Sequence, residues 1–184
     1  MKLPGGENPF TELSSEVVYE RKYVRFIKDM VRIGEVEKDY SYADIADGIA
    51  IVAVNDKREV VLVGQWRYPI KQYTWEVPAG MRDEGEDPLE TAKRELEEEA
   101  GIRAKKWTPL GSFFMEASST TKRAFAFLAQ DLELVEQSIE EDERIEIEWL
   151  PFDVALEKIA TGEIRDGLTV IGLLRARDYL LDSE

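Results

Sequence analysis

Short runs of β-branched and aromatic residues alternate with polar positions over most of this chain, and apolar residues take a helical spacing at three places. From Glu16 to about Glu37, Val17-Val18-Tyr19 and Tyr23-Val24-Arg25-Phe26-Ile27 predict two or three strands. Two strong strand candidates follow, Gly48 to Val54 and Val60 to Gln65, joined as a hairpin by the turn-forming Asn55-Asp56-Lys57. Tyr73 to Val77 predicts another strand, broken by Pro78-Ala79-Gly80. Further strands are expected at Leu110 to Met115, Arg123 to Gln130 and Ile145 to Leu150. In the last, Ile145, Ile147 and Trp149 alternate with Glu146 and Glu148, as one buried face requires. Two helices, about Phe152 to Thr161 (stopped by Gly162) and Leu168 to Leu181, close the chain. The mixture predicts an α/β protein with a sheet packed between helices.

The remaining helix has the clearest punctuation. Asp87 is placed as N-cap, Pro88 at the first helical position and Glu90 three residues after the cap. Gly101 follows the last turn, where a left-handed residue ends a helix. Leu89, Ala92, Leu96 and Ala100 form its apolar stripe. At roughly 100° per residue, Glu95, Glu98 and Glu99 converge on one sector. Glu99 borders the stripe and Glu98 lies farthest from it, while Glu90 and Glu97 occupy the other flank. Like charges at these spacings cost roughly 0.2–0.5 kcal/mol per pair. Glutamates in the last turn also oppose the helix dipole, at roughly 0.3–1 kcal/mol each. A solvated acidic face accounts for Glu90 and Glu97. For the other three a bound cation, which would relieve both penalties, stands beside that explanation. Arg94, one turn from Glu98, is placed to brace it.

Composition narrows the chemistry. The 184 residues are 43% apolar, enough for one ordinary domain with its own core and room for a small appendage at one end. With no histidine and no cysteine, neither a usual zinc site nor a Ser–His triad can be built. Oxygen ligands alone favour hard ions such as Mg²⁺, Mn²⁺ or Ca²⁺. A formal charge of −15 argues against nucleic acid as a main partner. Solubility explains that charge as well as a clustered metal site does. No apolar run approaches the roughly 18 residues a membrane span needs. Met1 to Phe10 lacks the apolar stretch of a secretory signal, so a cytoplasmic protein is expected.

The residues from Gly80 to Ile102 also resemble a family signature, the Nudix box G-x5-E-x7-R-E-U-x-E-E-x-G-U. Gly80, Glu86, Arg94, Glu95, Leu96, Glu98, Glu99, Gly101 and Ile102 fill every fixed position. The resemblance implies a Nudix fold, an α/β/α sandwich with a mixed sheet in which the box forms a loop–helix–loop. It implies that Glu95, Glu98 and Glu99, with the backbone carbonyl of Ala79, bind divalent ions, Mg²⁺ first and Mn²⁺ as the alternative. Glu86 would lie near them, and Gly80 and Gly101 would have backbone roles.

Outside the box, Gln65-Trp66-Arg67-Tyr68-Pro69 and Trp75-Glu76-Val77-Pro78-Ala79-Gly80 resemble the ADP-ribose and nucleotide-sugar pyrophosphatases. So does a strand-rich N-terminal extension, here residues 1–44, before a hydrolase domain at 45–184. In that group the extension is exchanged between the protomers of a homodimer. Arg67 would then meet the pyrophosphate, with Glu76 and Arg82 as weaker substrate contacts. Tyr19, Tyr23 and Phe26 stand as candidates for stacking on the base or for core packing. The implied reaction is attack of a metal-activated water on the diphosphate. Matching the loop before the last strand gives Glu141 as general base, Glu98 as the alternative, and Glu143 as a further metal ligand. One departure is visible: Glu116 to Arg123 has no proline where the group carries a Ser-Pro-Gly-like loop, so Lys122 and Arg123 are open equally to meeting phosphate in a different sugar nucleotide or to being a solvated strand start. A nucleoside triphosphate or coenzyme pyrophosphatase, and a sensor that binds without cleaving, are the competing expectations.

Overall fold

The structure is a computed structural model that describes residues 5–137 and 144–181. The chain separates into two compact units, Met1–Ala46 with Glu116–Lys122, and Asp47–Met115 with Arg123–Glu184.

The first unit is an antiparallel meander of β1 (Thr11–Arg21), β2 (Val24–Ile33) and β3 (Val36–Ile45). The turn between β2 and β3 holds Gly34 at φ 58°, a left-handed position that glycine adopts without strain. Two register shifts interrupt β1, between Glu12 and Ser14 and between Val17 and Tyr19. Segment 116–122 is tied to β3 by Ala43 N–H to the Ser119 carbonyl and Thr121 N–H to the Ala43 carbonyl, both 3.0 Å. Tyr19 and Phe26, 6.1 Å apart between ring centres, are half exposed and do not pack as core.

The second unit contains β4 (Gly48–Ala53), β5 (Glu59–Arg67), β6 (Gln72–Glu76), β7 (Ala79–Met81), α1 (Pro88–Ala100), β8 (Ile102–Phe114), β9 (Arg123–Leu134), β10 (Glu146–Pro151), α2 (Phe152–Thr161) and α3 (Gly167–Leu181). One sheet runs β7-β4-β9-β8, with β4 and β9 parallel and the other pairs antiparallel; a second runs β10-β5-β6. The apolar run of β4 is explained by burial on both faces. Ile49, Ile51 and Ala53 pack with Ala92, Leu96 and Ala100 of α1. Ala50 and Val52 pack with Phe152 and Ala155 of α2 and Leu173 and Ala176 of α3. This is the expected α/β/α sandwich with a mixed sheet. Each of its large fully buried side chains contributes roughly 1.5–3 kcal/mol. No helix among the described residues is long and apolar enough to cross a membrane.

Three expectations are corrected. Asn55-Asp56-Lys57 does form a turn, with Arg58 N–H bonded to the Asn55 carbonyl at 3.0 Å. But β4 and β5 meet only at the Val54–Val60 bridge and then enter different sheets. Both edges of β4 are otherwise taken, by β7 and β9, so the pairing does not extend beyond that bridge into a full hairpin. Second, β8 begins at Ile102, directly after the helix, rather than at Leu110; the solvated Lys105 and Lys106 obscured its start. Third, Ile147 is 37% exposed: among the described residues β10 is an edge strand paired with β5, and Trp149 alone of the expected face packs against the core.

Candidate active site

Helix α1 forms where its signals put it. The Asp87 side chain accepts from Leu89 N–H at 2.9 Å, and Gly101 closes the helix at φ 63°. Ala92 and Leu96 are fully buried and Ala100 nearly so, which sets the rotation of the helix and therefore the aim of its carboxylates.

Glu99, beside that stripe, is 5% exposed and accepts from Ala79 N–H at 2.8 Å. Glu95 is the next most buried, and its carboxyl group fills the hollow over Gly80. A Cβ at Gly80 would lie 2.0 Å from the Glu95 carboxyl carbon, so only glycine leaves room for that seat. Glu98 is the most open of the three. Arg94 does brace Glu98, at 2.9 Å, and the same Nη1 also reaches Glu95 at 2.8 Å. Its Nε approaches Glu86 at 3.4 Å. Burial works against the Arg94 charge, but the Glu86, Glu95 and Glu98 carboxylates outweigh it and hold the guanidinium more firmly protonated than usual. Burial likewise pushes the Glu86 carboxyl up, yet Arg94 and Thr91 bring it below its ordinary value.

The expected convergence of Glu95, Glu98 and Glu99 is therefore partial. Among the described residues no three carboxylates gather into a cage for a metal ion. Like charges separate unless a counter-charge joins them. Here Arg94 joins Glu95 to Glu98, and Glu99 turns to the Ala79 amide. The donor set still fits a hard divalent cation. It is oxygen only, it is partly buried, and the Gly80 hollow holds Glu95 within reach of the same backbone segment that Glu99 grips.

The substrate candidates separate into two clusters. Arg67, at the end of β5, donates from Nε to Glu76 at 2.9 Å and pairs through a second nitrogen. Glu76 is 3% exposed and also accepts from the Thr74 hydroxyl at 2.6 Å, so it is a buried anchor rather than a solvated charge. Hydrogen bonding to Glu76 outweighs burial and raises the Arg67 pKa, with Glu99 and Asp166 adding to the field. Arg82 instead donates to Asp47 at 2.8 Å and to the Glu86 carbonyl at 3.1 Å. Asp47 also accepts from Arg123 at 3.0 Å, and Arg123 lies over the Phe125 ring at 4.6 Å. Asp47 escaped the sequence analysis, since a lone aspartate between two strands carries no local signal.

Glu141 and Glu143 lie outside the described residues. The chain leading towards them is tied to the end of α1. Val135 N–H bonds the Gly101 carbonyl at 2.8 Å, and the Gln137 side-chain amide donates to the Glu99 carbonyl. In the first unit, a trough of about 510 Å³ is lined by Val18, Phe26, Ile27, Tyr42, Ser119 and Thr120.

Comparison with known proteins places these features. Residues 44–168 match the model of the NUDIX domain. The chain is 34% identical over 127 residues to the ADP-ribose pyrophosphatase of Bacillus subtilis, covering 68% of this chain and 69% of that one. It is 29% identical over 174 residues to the ADP-ribose pyrophosphatase of Mycobacterium tuberculosis, covering 91% and 83%. A crystal structure of an ADP compounds hydrolase superposes with a TM-score of 0.86 over 98% of both chains at 21% identity, a likeness of fold. The chain belongs to the Nudix family, and it is a Nudix hydrolase.

Proposed function

We propose that this protein hydrolyses the diphosphate bond of a nucleoside diphosphate sugar of the ADP-ribose type, releasing a nucleoside monophosphate and a sugar phosphate. The observation that carries this is the seating of Glu95 and Glu99 against Ala79–Gly80, in a chain whose relatives are named for that substrate. Glu95, Glu98, Glu99, the Ala79 carbonyl and Glu143 would hold Mg²⁺, with Mn²⁺ as the alternative. A divalent ion there supplies charge neutralisation on the diphosphate and a Lewis acid for the attacking water.

The chain's own groups do the rest. Glu141 takes a proton from the water as its oxygen adds to one phosphorus, and the bridging oxygen departs with the other phosphate. Arg67 presents a planar, permanently charged fork to phosphate oxygens, held in orientation by Glu76. Arg82, steadied by Asp47, is a second cation for the substrate. Arg94 holds Glu95 and Glu98 together and is structural support for the metal ligands. Residues 1–44 serve as a dimerisation segment, supported by the exposed apolar residues of β1 and β2, and 45–184 as the hydrolase domain of a cytoplasmic homodimer.

A panel of ADP-ribose, ADP-glucose, GDP-mannose, UDP-glucose and dinucleotides, with Mg²⁺ and with EDTA, tests the proposal. Monophosphate release from a nucleotide sugar, abolished by EDTA, is expected. Release of inorganic pyrophosphate from triphosphates would transfer the assignment to the other class. Glu141→Gln should lower kcat by at least about a hundredfold while KM holds; near-normal turnover would move the base to Glu98.

A further inference from the structure

We infer that Thr169 and Asp166, at the start of α3, are positioning residues for the Ala79–Glu99 side of the metal site, an inference that rests on the proposed function. The segment Val77-Pro78-Ala79 carries the carbonyl expected to ligate metal and leads into Gly80. Its backbone is pinned at three successive points. Val77 N–H donates to the Thr169 hydroxyl at 3.1 Å. The Pro78 carbonyl accepts from Ile51 N–H at 2.9 Å. Ala79 N–H donates to the Glu99 carboxylate at 2.8 Å. Proline has no N–H and a locked φ, so Val77 and Ala79 supply the only two donors of the segment, and a rotation at one is carried stiffly to the other.

Thr169 is fully buried, as is Val77, so water cannot replace the hydroxyl. That hydroxyl is aimed by Asp166. Asp166 caps α3, its Oδ2 accepting from Thr169 N–H and from Thr169 Oγ1, each at 2.9 Å. A hydroxyl that donates to Asp166 has its lone pairs left for Val77. A chain of contacts thus runs from the Asp166 carboxylate through Thr169 and the Val77–Ala79 backbone to Glu99. Threonine is needed only as the hydroxyl: valine has the same shape and cannot accept.

Thr169→Val, Thr169→Ser and Asp166→Ala in the whole protein test this. Mn²⁺ titrated into substrate-free protein and followed by EPR reads the site without turnover; kcat and KM on ADP-ribose are read separately. Thr169→Val should weaken Mn²⁺ binding about ten- to hundredfold, the usual effect of losing support behind metal ligands. It should lower kcat with KM little moved, and Thr169→Ser should restore both. Wild-type Mn²⁺ affinity and kcat in Thr169→Val, or a serine variant as impaired as the valine one, overturns the inference. If Thr169→Val does not fold, Asp166→Ala decides by the same two readouts. Wild-type protein that neither binds Mn²⁺ nor cleaves any nucleotide sugar removes the metal reading itself, so the two failures are told apart.

Discussion

The two units of this chain treat their apolar residues in opposite ways. In the second, Ile49 to Ala53 and Val60 to Leu62 are wholly buried, and strands are covered on both faces. In the first, every residue of β1 is exposed, Val17, Val18 and Tyr19 among them, and of its described residues only Asp29, Val31 and Ala43 are buried. Both segments have strand-forming composition, so propensity does not separate them. What separates them is whether a second layer exists to cover the strand. A dense core can hold Glu99 buried and Glu95 nearly so beside a glycine hollow, because the surrounding packing prevents the helix from turning them outward. A sheet with valines and aromatics at its surface has no such duty, and in the proposed homodimer that surface is the one a second copy would cover.

Truncating a core residue should break the second unit outright. Leu96→Ala is expected to cost about 2–5 kcal/mol of stability, read from urea unfolding followed by tryptophan fluorescence. A loss under 1 kcal/mol would mean the helix is less tightly seated than its burial implies.

Gly80→Ala separates fold from site within the same unit. The added Cβ must evict the Glu95 carboxyl, which sits at the end of a flexible side chain, so the protein should fold normally. Turnover should drop by about ten- to hundredfold, the usual effect of losing support behind metal ligands. Unchanged kcat would show that the seat over Gly80 has no part in the chemistry.

The corresponding truncation in the first unit should be nearly silent. Val18, 56% exposed, replaced by serine is expected to change thermal stability at high dilution by no more than about 0.5 kcal/mol. Sedimentation at higher concentration should show weaker self-association, if a second copy covers β1. A large loss in the dilute protein would erase the contrast.

The smallest effect is a pH term confined to the first unit. Asp44 accepts from the Thr121 hydroxyl at 2.6 Å and from Arg25, and these bonds hold its carboxyl below the ordinary aspartate value. A lowered folded pKa means stability that is fully present above about 3.9 and lost as pH falls through the folded value. Slowed hydrogen exchange at Ile45, whose N–H bonds the Thr121 hydroxyl, should fade over that acid range, and Asp44→Asn should make it independent of pH there.

Much of the site was legible because it is written on one helix. Asp87, Pro88 and Gly101 act through bonds a few residues long, and the Leu89–Ala100 stripe and the glutamate sector follow from helical periodicity alone. The spacing of Arg94 to Glu98 likewise required no tertiary knowledge. Asp47 and Thr169 were not legible, since each acts on residues many positions away.

From residues alone came the strand-rich character, the bounded carboxylate helix, the oxygen-only donor set and the family resemblance. Tertiary structure decided that β4 and β5 part into different sheets, that β10 is an open edge, and that Glu95 lies over Gly80 while Glu99 grips Ala79. The division has one physical cause. Helix caps and stripes are set by neighbours in sequence, whereas a strand's partner and a carboxylate's seat depend on which distant backbone arrives beside it.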